Sequence, residues 1–203
     1  MSSEYQAKIE AFKAQVQAKV ETLLAEFAEG KLNREQFHNI YAHYSNQLQL
    51  ADQAMHEGDS NRVEGAAGET IAIRQTFMGK AMGLVIYHNK SATLVDTLGE
   101  FDVSPEVIAP VLNDFSQLME ANKLIDRRIF QVAERQWLLF AAGRYTTVVT
   151  LFQNEPSNHQ SREIERLHYD FEVANAAFLA IGRVDPTKLA YPFMVFVQQK
   201  LRR

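Results

Sequence analysis

Residues 136–153 read QWLLFAAGRYTTVVTLFQ, and the expected sheet is inferred outward from this segment. Two runs rich in aromatic, leucine and β-branched residues, QWLLFAA and YTTVVTLFQ, lie on either side of Gly143-Arg144. Runs of this composition and length favour β-strands, and a short glycine-containing connection is typical of a hairpin turn. The stretch therefore predicts two neighbouring antiparallel strands.

Three further segments have the same character. The segment RRIFQVAE (127–134) precedes the hairpin across Arg135-Gln136 and extends it to a three-strand meander. Upstream, AMGLVIYH (81–88) and SATLVDTLG (91–99) are separated by Asn89-Lys90, which predicts another hairpin. We therefore expect five strands that pair with antiparallel neighbours.

Helical patterns alternate with these strands. Ser104 as N-cap and Pro105 at the first helical position begin a helix whose apolar residues recur every three or four positions. A short helix is predicted over 70–80, and a long one over 157–180 with an apolar stripe at Ile164, Leu167, Phe171, Ala174 and Phe178. The order αββαβββα predicts an α+β domain, residues 70–182, with a five-stranded antiparallel sheet and flanking helices.

The N-terminal segment, residues 1–57, predicts a helical hairpin. Gly30 stands where a first helix ends, and Asn33 with Gln36 forms a capping-box-like start for a second. The apolar stripes are Ile9, Phe12, Val16, Val20, Leu23 and Phe27, then Phe37, Tyr41, Tyr44, Leu48, Ala51 and Met55. Two helices bury little surface alone, so the hairpin packs on the main domain, on a second copy, or on a partner.

The hairpin is flanked by a predicted linker, and the chain closes with an extension. Residues 58–69, GDSNRVEGAAGE, are rich in glycine and small polar residues, which favours a linker. Residues 183–203 form a C-terminal extension containing the apolar PFMVFVQQ. This tail docks either on its own domain or in a groove of another chain.

Composition narrows the class of protein. The chain has 203 residues, a formal charge of −4 and no cysteine, which removes thiol catalysis, cysteine zinc sites and disulfides. Residues 1–65 hold ten acids and six bases, and the remainder holds fifteen of each. A strongly basic face for nucleic acid is not indicated. With no apolar signal-peptide core and no run long enough to span a bilayer, we expect a soluble, cytoplasmic protein.

Signatures of catalysis and cofactor binding are weak throughout. Gly79-Lys80 is followed by Ala81, so the phosphate-loop pattern is not met. His159 and Glu163 share a helical face, but a metal site needs a third ligand. We therefore expect no metal, no cofactor and no enzymatic activity.

The segment 70–180 resembles the Roadblock/dynein-light-chain family. The resemblance is carried by GLVIYHNKSATLVDTLG, the helix PEVIAPVLNDFSQLMEA and the stretch QWLLFAAGRYTTVVTLFQNEPSN. The chain departs from the family pattern at His88-Asn89-Lys90 and in its C-terminal extension. The preceding hairpin, through Leu24, Phe27, Gly30, Leu32 and Phe37, resembles short helical oligomerisation modules that bacteria append to other domains.

The Roadblock resemblance implies a profilin-like domain that dimerises through sheet edges and central helices and regulates or scaffolds Ras-like small GTPases. The expected partner interface comprises Val111, Phe115, Leu118, Ile129, Gln131 and Ala133. An open sheet has edges that need pairing or covering, which independently favours a twofold dimer. The alternative is a GAF-like or PAS-like sensor in which Trp137 and its neighbours enclose a small molecule.

Overall fold

The structure, a computed structural model, describes residues 3–57, 70–181 and 184–193. The chain divides into two compact units. The first contains Met1–Met78 with Ser157–His159, and the second contains Gly79–Pro156 with Gln160–Arg203. The predicted linker 58–69, and the end of the C-terminal tail from residue 194 onward, lie outside the described residues.

The first unit is built on the helical hairpin. Helix α1 spans Ser3–Ala28 and helix α2 spans Arg34–Glu57. Gly30 turns the chain between them with a φ of +76°, a conformation in which glycine alone avoids a β-carbon penalty. Asn33 Oδ1 accepts from the amide of Gln36, and Gln36 Oε1 accepts from the amide of Asn33. The predicted joint and its capping box are confirmed.

The two caps of α2 also hold helix α3, which spans Thr70–Thr76. Asn33 Nδ2 donates to the carbonyl of Phe77 at 2.7 Å, and Gln36 Nε2 donates to the carbonyl of Arg74 at 2.7 Å. The guanidinium of Arg74 also binds Glu26 of α1 at 2.7 Å. Carbonyls at a helix C-terminus lack intrahelical donors, and the side chains of the joint satisfy two of them.

The face of α2 that meets α1 agrees with the predicted stripe at Tyr44 and Ala51, which are buried, and departs from it at Ile40, Tyr41 and Ala54. The residues buried between the helices are Ile9, Val16 and Leu23 from α1, and Ile40, Tyr44, Ala51 and Ala54 from α2. Tyr41 is exposed, and Phe37, Leu48 and Met55 are only half-buried. The predicted stripe included Ala51 but left out Ile40 and Ala54, and the two small alanines let α2 approach α1 closely.

The second unit is built on the five-stranded sheet. Its strands are β1 (Lys80–His88), β2 (Thr93–Gly99), β3 (Arg128–Ala133), β4 (Gln136–Ala142) and β5 (Thr146–Gln153). They pair in the order β2-β1-β5-β4-β3, and every neighbouring pair is antiparallel. The predicted α+β class and the five-stranded antiparallel sheet are confirmed.

Each face of this sheet carries one long helix. Helix α4, Pro105–Glu120, begins at Ser104 as predicted, with the Ser104 hydroxyl accepting from the amide of Glu106. Helix α5 spans Asn158–Leu179. The core under α4 contains Val85, Ile108, Val111, Phe115, Leu138, Phe140, Val149 and Leu151. The core under α5 contains Leu84, Ile86, Leu139, Val148, Phe152, Ile164, Leu167 and Phe171.

The C-terminal half of α5 departs from its predicted stripe. Ala174 and Phe178 are exposed, and the buried positions are instead Asn175 and Leu179. Asn175 Nδ2 donates to the carbonyl of Ala190, and Asn175 Oδ1 accepts from the amide of Ala190, at 2.7 and 2.8 Å. A buried amide that pairs with a backbone in this way displaces an apolar residue from the inner face.

The segment after α5 follows this contact. Asp185 caps a short 3₁₀ helix, Pro186–Lys188. Leu189 and Phe193 then enter the core under α5, where the Phe193 ring lies 5.8 Å from that of Phe171. Within the part of the chain that the structure describes, no helix combines the length and apolar character that crossing a membrane requires.

We predict that Gly30→Ala destabilises the first unit by about 1–2 kcal/mol, the usual cost of a left-handed non-glycine residue. A β-carbon here would also lie 2.7 Å from Cβ of Asn158, closer than carbon atoms pack. Urea unfolding followed by far-ultraviolet circular dichroism measures the change. Lys31→Ala, at the exposed neighbouring position, is the matched control. Equal stability of the two variants would contradict the prediction.

Candidate interaction surface

Among the strands that the structure describes, β3 lies at one edge of the sheet and is bonded to β4 alone. Gln131 and Ala133 are exposed and Ile129 is half-buried. The pairing with β4 shifts by one residue between Gln131 and Ala133. An edge strand presents unpaired backbone donors and acceptors to any further strand, so β3 has the character of a pairing edge.

The predicted interface residues on α4 lie differently from those on β3. Val111 and Phe115 are buried in the core under α4, and Phe115 is only 1% exposed. These two side chains hold α4 on the sheet and do not reach a partner. Leu118 is half-buried and does reach the surface. Ile129 packs against the core under α5 instead, so the predicted residues flank the edge from opposite faces.

Sequence reasoning missed the contacts that link β3 to α4. The guanidinium of Arg128 binds Asp114 at 2.7 Å and lies 5.3 Å from the ring centroid of Phe115. Phe130 stacks on Phe140 with centroids 5.5 Å apart. The first contact links β3 to α4 and the second links β3 to β4, and no local pattern in the sequence reveals the side-chain partners.

A hollow opens beside this contact. It has a volume of about 320 Å³ and is lined by Asp114, Gln117, Leu118, Ala121, Lys123 and Arg128. In the connection from α4 to β3, Leu124 is 93% exposed. Exposed leucine next to a concave surface and an open strand is the composition expected of a docking surface.

The opposite edge, β2, has different surroundings. Asp96 lies on β2, and its carboxylate interacts with the hydroxyl of Tyr191 in the segment after α5. Burial and this interaction raise the pKa of Tyr191. Val95 on the same strand is buried in the core to which Leu189 and Phe193 contribute. The C-terminal segment therefore lies along the β2 side of the unit.

A buried polar network fixes the connection between β4 and β5. The carboxylate of Glu172 on α5 accepts hydrogen bonds from the amides of Arg144, Tyr145 and Thr146, at 2.7 to 2.8 Å. A β-carbon at Gly143 would lie 2.5 Å from the carboxyl carbon of Glu172. The glycine is needed because the carboxylate approaches the turn so closely.

Thr146, His168 and Glu172 superficially resemble a nucleophile, a base and an acid. Thr146 is fully buried, and its hydroxyl donates to Glu172 at 2.8 Å. That hydroxyl has one proton, so the Nε2 of His168, 2.8 Å from Thr146 Oγ1, must be the donor in their contact. An imidazole that donates to the hydroxyl does not act as its base, and this network stabilises the fold.

The remaining candidates for chemistry are dispersed. Glu163 forms an ion pair with Arg166 at 2.7 Å, and His159 donates its backbone amide to the carbonyl of Gly30. Trp137 is half-buried against the core under α5. Among the residues that the structure describes, no three histidine or acidic side chains form a group able to hold a metal ion.

Comparisons of the chain with protein-family models, with curated proteins and with solved structures found no match. The functional argument therefore depends on the geometry of the chain itself.

We predict that protonation of His168 makes the second unit less stable in mild acid. Burial lowers the pKa of His168 to about 4, against the opposing effect of the Glu172 charge, from a usual 6.5. The unfolded chain takes up a proton as pH falls from about 6.5 to about 4, and the folded chain does not. Stability present above pH 6.5 is therefore lost through this window, by roughly 2 kcal/mol at pH 5.

The measurement is urea unfolding at pH 7.5 and pH 5, followed by the fluorescence of Trp137, the single tryptophan of the chain. His168→Gln should lose distinctly less stability between the two pH values than the original chain. His38→Gln, at an exposed position, is the control and should retain the original slope. An unchanged slope in His168→Gln would show that another group titrates.

Proposed function

We propose that this chain is a non-catalytic interaction protein, a homodimeric regulator or scaffold of a Ras-like small GTPase, related to the Roadblock family. The observation that supports the proposal is the position of β3. It lies at a sheet edge directly after α4, with exposed Gln131 and Ala133, and with the Leu118 hollow and exposed Leu124 beside it.

Dimerisation would join β3 of one copy to β3 of a second copy. Two antiparallel strands related by a twofold axis extend the sheet across the interface, and the β3 edge of each copy is no longer exposed. The α4 helices of the two copies then lie on the same face of the joined sheet, because each packs against the same face of its own sheet. Leu118 and Leu124 would supply apolar contacts on the face of the joined sheet that carries the α4 helices. Asp114 holds the guanidinium of Arg128 in place.

The GTPase partner follows from the family resemblance and from the character of the surface. A platform of joined sheets with paired helices regulates a partner by docking, without side chains that make or break bonds. The cytoplasmic location of such partners agrees with the composition of this chain, which contains no cysteine. We assign Leu118, Ile129, Gln131 and Ala133 to the dimer contact. Val111 and Phe115, on the inner face of α4, anchor that helix to the sheet.

The alternative function, a GAF-like or PAS-like sensor, requires space for a ligand at Trp137. The indole packs against the core under α5. A cavity of about 520 Å³ lies nearby, lined by residues that include Gln136 and Phe152, but Trp137 is not part of its lining. This packing gives the interaction protein precedence.

We predict that Gln131→Lys combined with Leu124→Lys weakens dimerisation at least tenfold. Both positions are exposed, so the fold should persist. Lysine on an edge strand opposes strand addition, and like charges near a twofold axis repel. Sedimentation equilibrium over a concentration series measures the dissociation constant.

The matched control is Leu94→Lys on the opposite edge strand, where the leucine is 53% exposed. It adds a comparable lysine to β2 and should leave the dimer unchanged. A dimer that weakens equally in both variants, or a monomer in the unmodified chain, would overturn the proposed interface.

GTPase regulation is tested with purified Ras-like GTPases from the same genome. Each is loaded with a fluorescent guanine nucleotide, and nucleotide release and hydrolysis are followed with and without this chain. We expect one GTPase to bind, with a preference for either its GDP or its GTP form. If the chain binds none of these GTPases measurably, the assignment is contradicted.

A further inference from the structure

A cavity of about 410 Å³ lies between helix α5 and the turn that joins β4 to β5. Its polar lining comes from Arg144 and Tyr145 on the turn and from Glu165, His168, Tyr169 and Glu172 on the helix. All of these residues belong to the second unit. Sites for small organic molecules are concave and have volumes of about 300–1,000 Å³, so this space has a suitable size. We call it the α5 cavity.

The wall of the α5 cavity on the side of the turn is held rigidly. The carboxylate of Glu172 accepts hydrogen bonds from the backbone amides of Arg144 and Tyr145, both at 2.8 Å. The side chains of these two turn residues therefore extend from a backbone that is fixed to α5. Pre-organised groups bind a ligand more tightly, because they lose little conformational entropy when they engage it.

His168 supplies a buried hydrogen-bond acceptor to the α5 cavity. Its side chain is 3% exposed, and its Nε2 donates to the hydroxyl of Thr146, so Nδ1 of the neutral ring keeps a lone pair. Burial lowers the pKa of His168 to about 4, against the opposing charge of Glu172, and the ring is therefore neutral at pH 7.

The position of Nδ1 follows from its surroundings. Among the described residues Nδ1 makes no hydrogen bond, yet it is not one of the fully buried polar atoms that lack a partner. It therefore borders accessible space, and the space that His168 lines is the α5 cavity. A nearly buried acceptor of this kind is stabilised by a donor on a bound molecule.

Arg144 supplies a cation at the turn. Its guanidinium lies over the ring of Tyr145, 5.2 Å from the ring centroid, and forms no ion pair within the part of the chain that the structure describes. The two carboxylates of the lining are already engaged, since Glu165 binds Arg127 at 3.0 Å and Glu172 binds the turn amides. The guanidinium is therefore available to a carboxylate, which it can bind through two parallel hydrogen bonds.

An apolar flank completes the lining. Tyr169 and Val173 on α5 are 67% and 60% exposed, and Ala176 on the same helix is half-buried. An apolar group that covers these side chains removes their surface from water, which is favourable.

We propose that the α5 cavity binds a small organic carboxylate that has an apolar body and a hydroxyl or N–H group. The carboxylate pairs with Arg144, the hydroxyl or N–H group donates to Nδ1 of His168, and the apolar body lies against Tyr169 and Val173. Neither Trp137 nor any residue of β3 lines this cavity. The inference therefore goes beyond the proposed interaction protein and does not depend on it.

The first test uses three aromatic hydroxy acids as probes: meta-hydroxybenzoate, para-hydroxybenzoate and para-hydroxyphenylacetate. They place the hydroxyl at different distances from the carboxylate, and each is titrated into the full chain by isothermal titration calorimetry. We expect at least one probe to bind at least tenfold more tightly than its matched compound without the hydroxyl, benzoate or phenylacetate. If no probe binds more tightly than its matched compound, the proposal is wrong.

The second test identifies the site with the tightest probe. Arg144→Gln, at an exposed position, should raise the dissociation constant at least tenfold. Arg162→Gln, exposed on α5 outside the lining, is the matched control and should leave the constant unchanged. Circular dichroism confirms that both variants are folded. Equal dissociation constants in the two variants would overturn the proposal.

Nitrogen-15 spectra of the histidine rings in the unmodified chain provide an independent readout. The resonance of His168 Nδ1 is identified by its loss in His168→Gln, and it should move to lower frequency as the probe saturates the chain, because Nδ1 becomes a hydrogen-bond acceptor. The ring resonances of His38, which is far from this cavity in the sequence and outside its lining, should not move. An unchanged His168 resonance at saturation would also overturn the proposal.

Discussion

The carboxylate of Glu172 attaches helix α5 to the turn between β4 and β5, and the second unit depends on this contact. It accepts from the three consecutive amides of residues 144–146 and from the hydroxyl of Thr146. Strand β5 is central in the sheet, and α5 covers one face, so this contact fixes the helix on the hairpin around which the other strands assemble. A buried carboxylate without such partners is strongly unfavourable, and here the turn satisfies it completely.

The sequence predicts the strands well because their apolar runs are continuous and short polar or glycine-containing turns separate them. It predicts the inner face of α2 only in part and the end of α5 poorly, for a physical reason. In both helices two stripes compete, and packing selects alanine, as at Ala54, or a buried amide, as at Asn175, over a larger apolar neighbour. Glu172 carries no local signal, since its partners lie 26 to 28 residues away in the chain.

The candidate surface could be predicted only in part. Ile129, Gln131 and Ala133 follow from recognising a strand, but their place at an edge follows from the strand order, which hairpin patterns do not fix. The two edges then differ in their neighbours: Tyr191 interacts with Asp96 on β2, whereas β3 adjoins the Leu118 hollow. The asymmetry makes β3 the more open of the two edges among the described residues.

The irregularity in β3 limits what that edge can do. Pairing with β4 is regular only from Arg128 to Gln131 before the register shifts. Four residues of strand extend over about 13 Å, room for a few backbone hydrogen bonds with an added chain. The binding free energy of a complex formed there must come mainly from side chains on either face of the sheet. Association through so short a ladder is readily reversible.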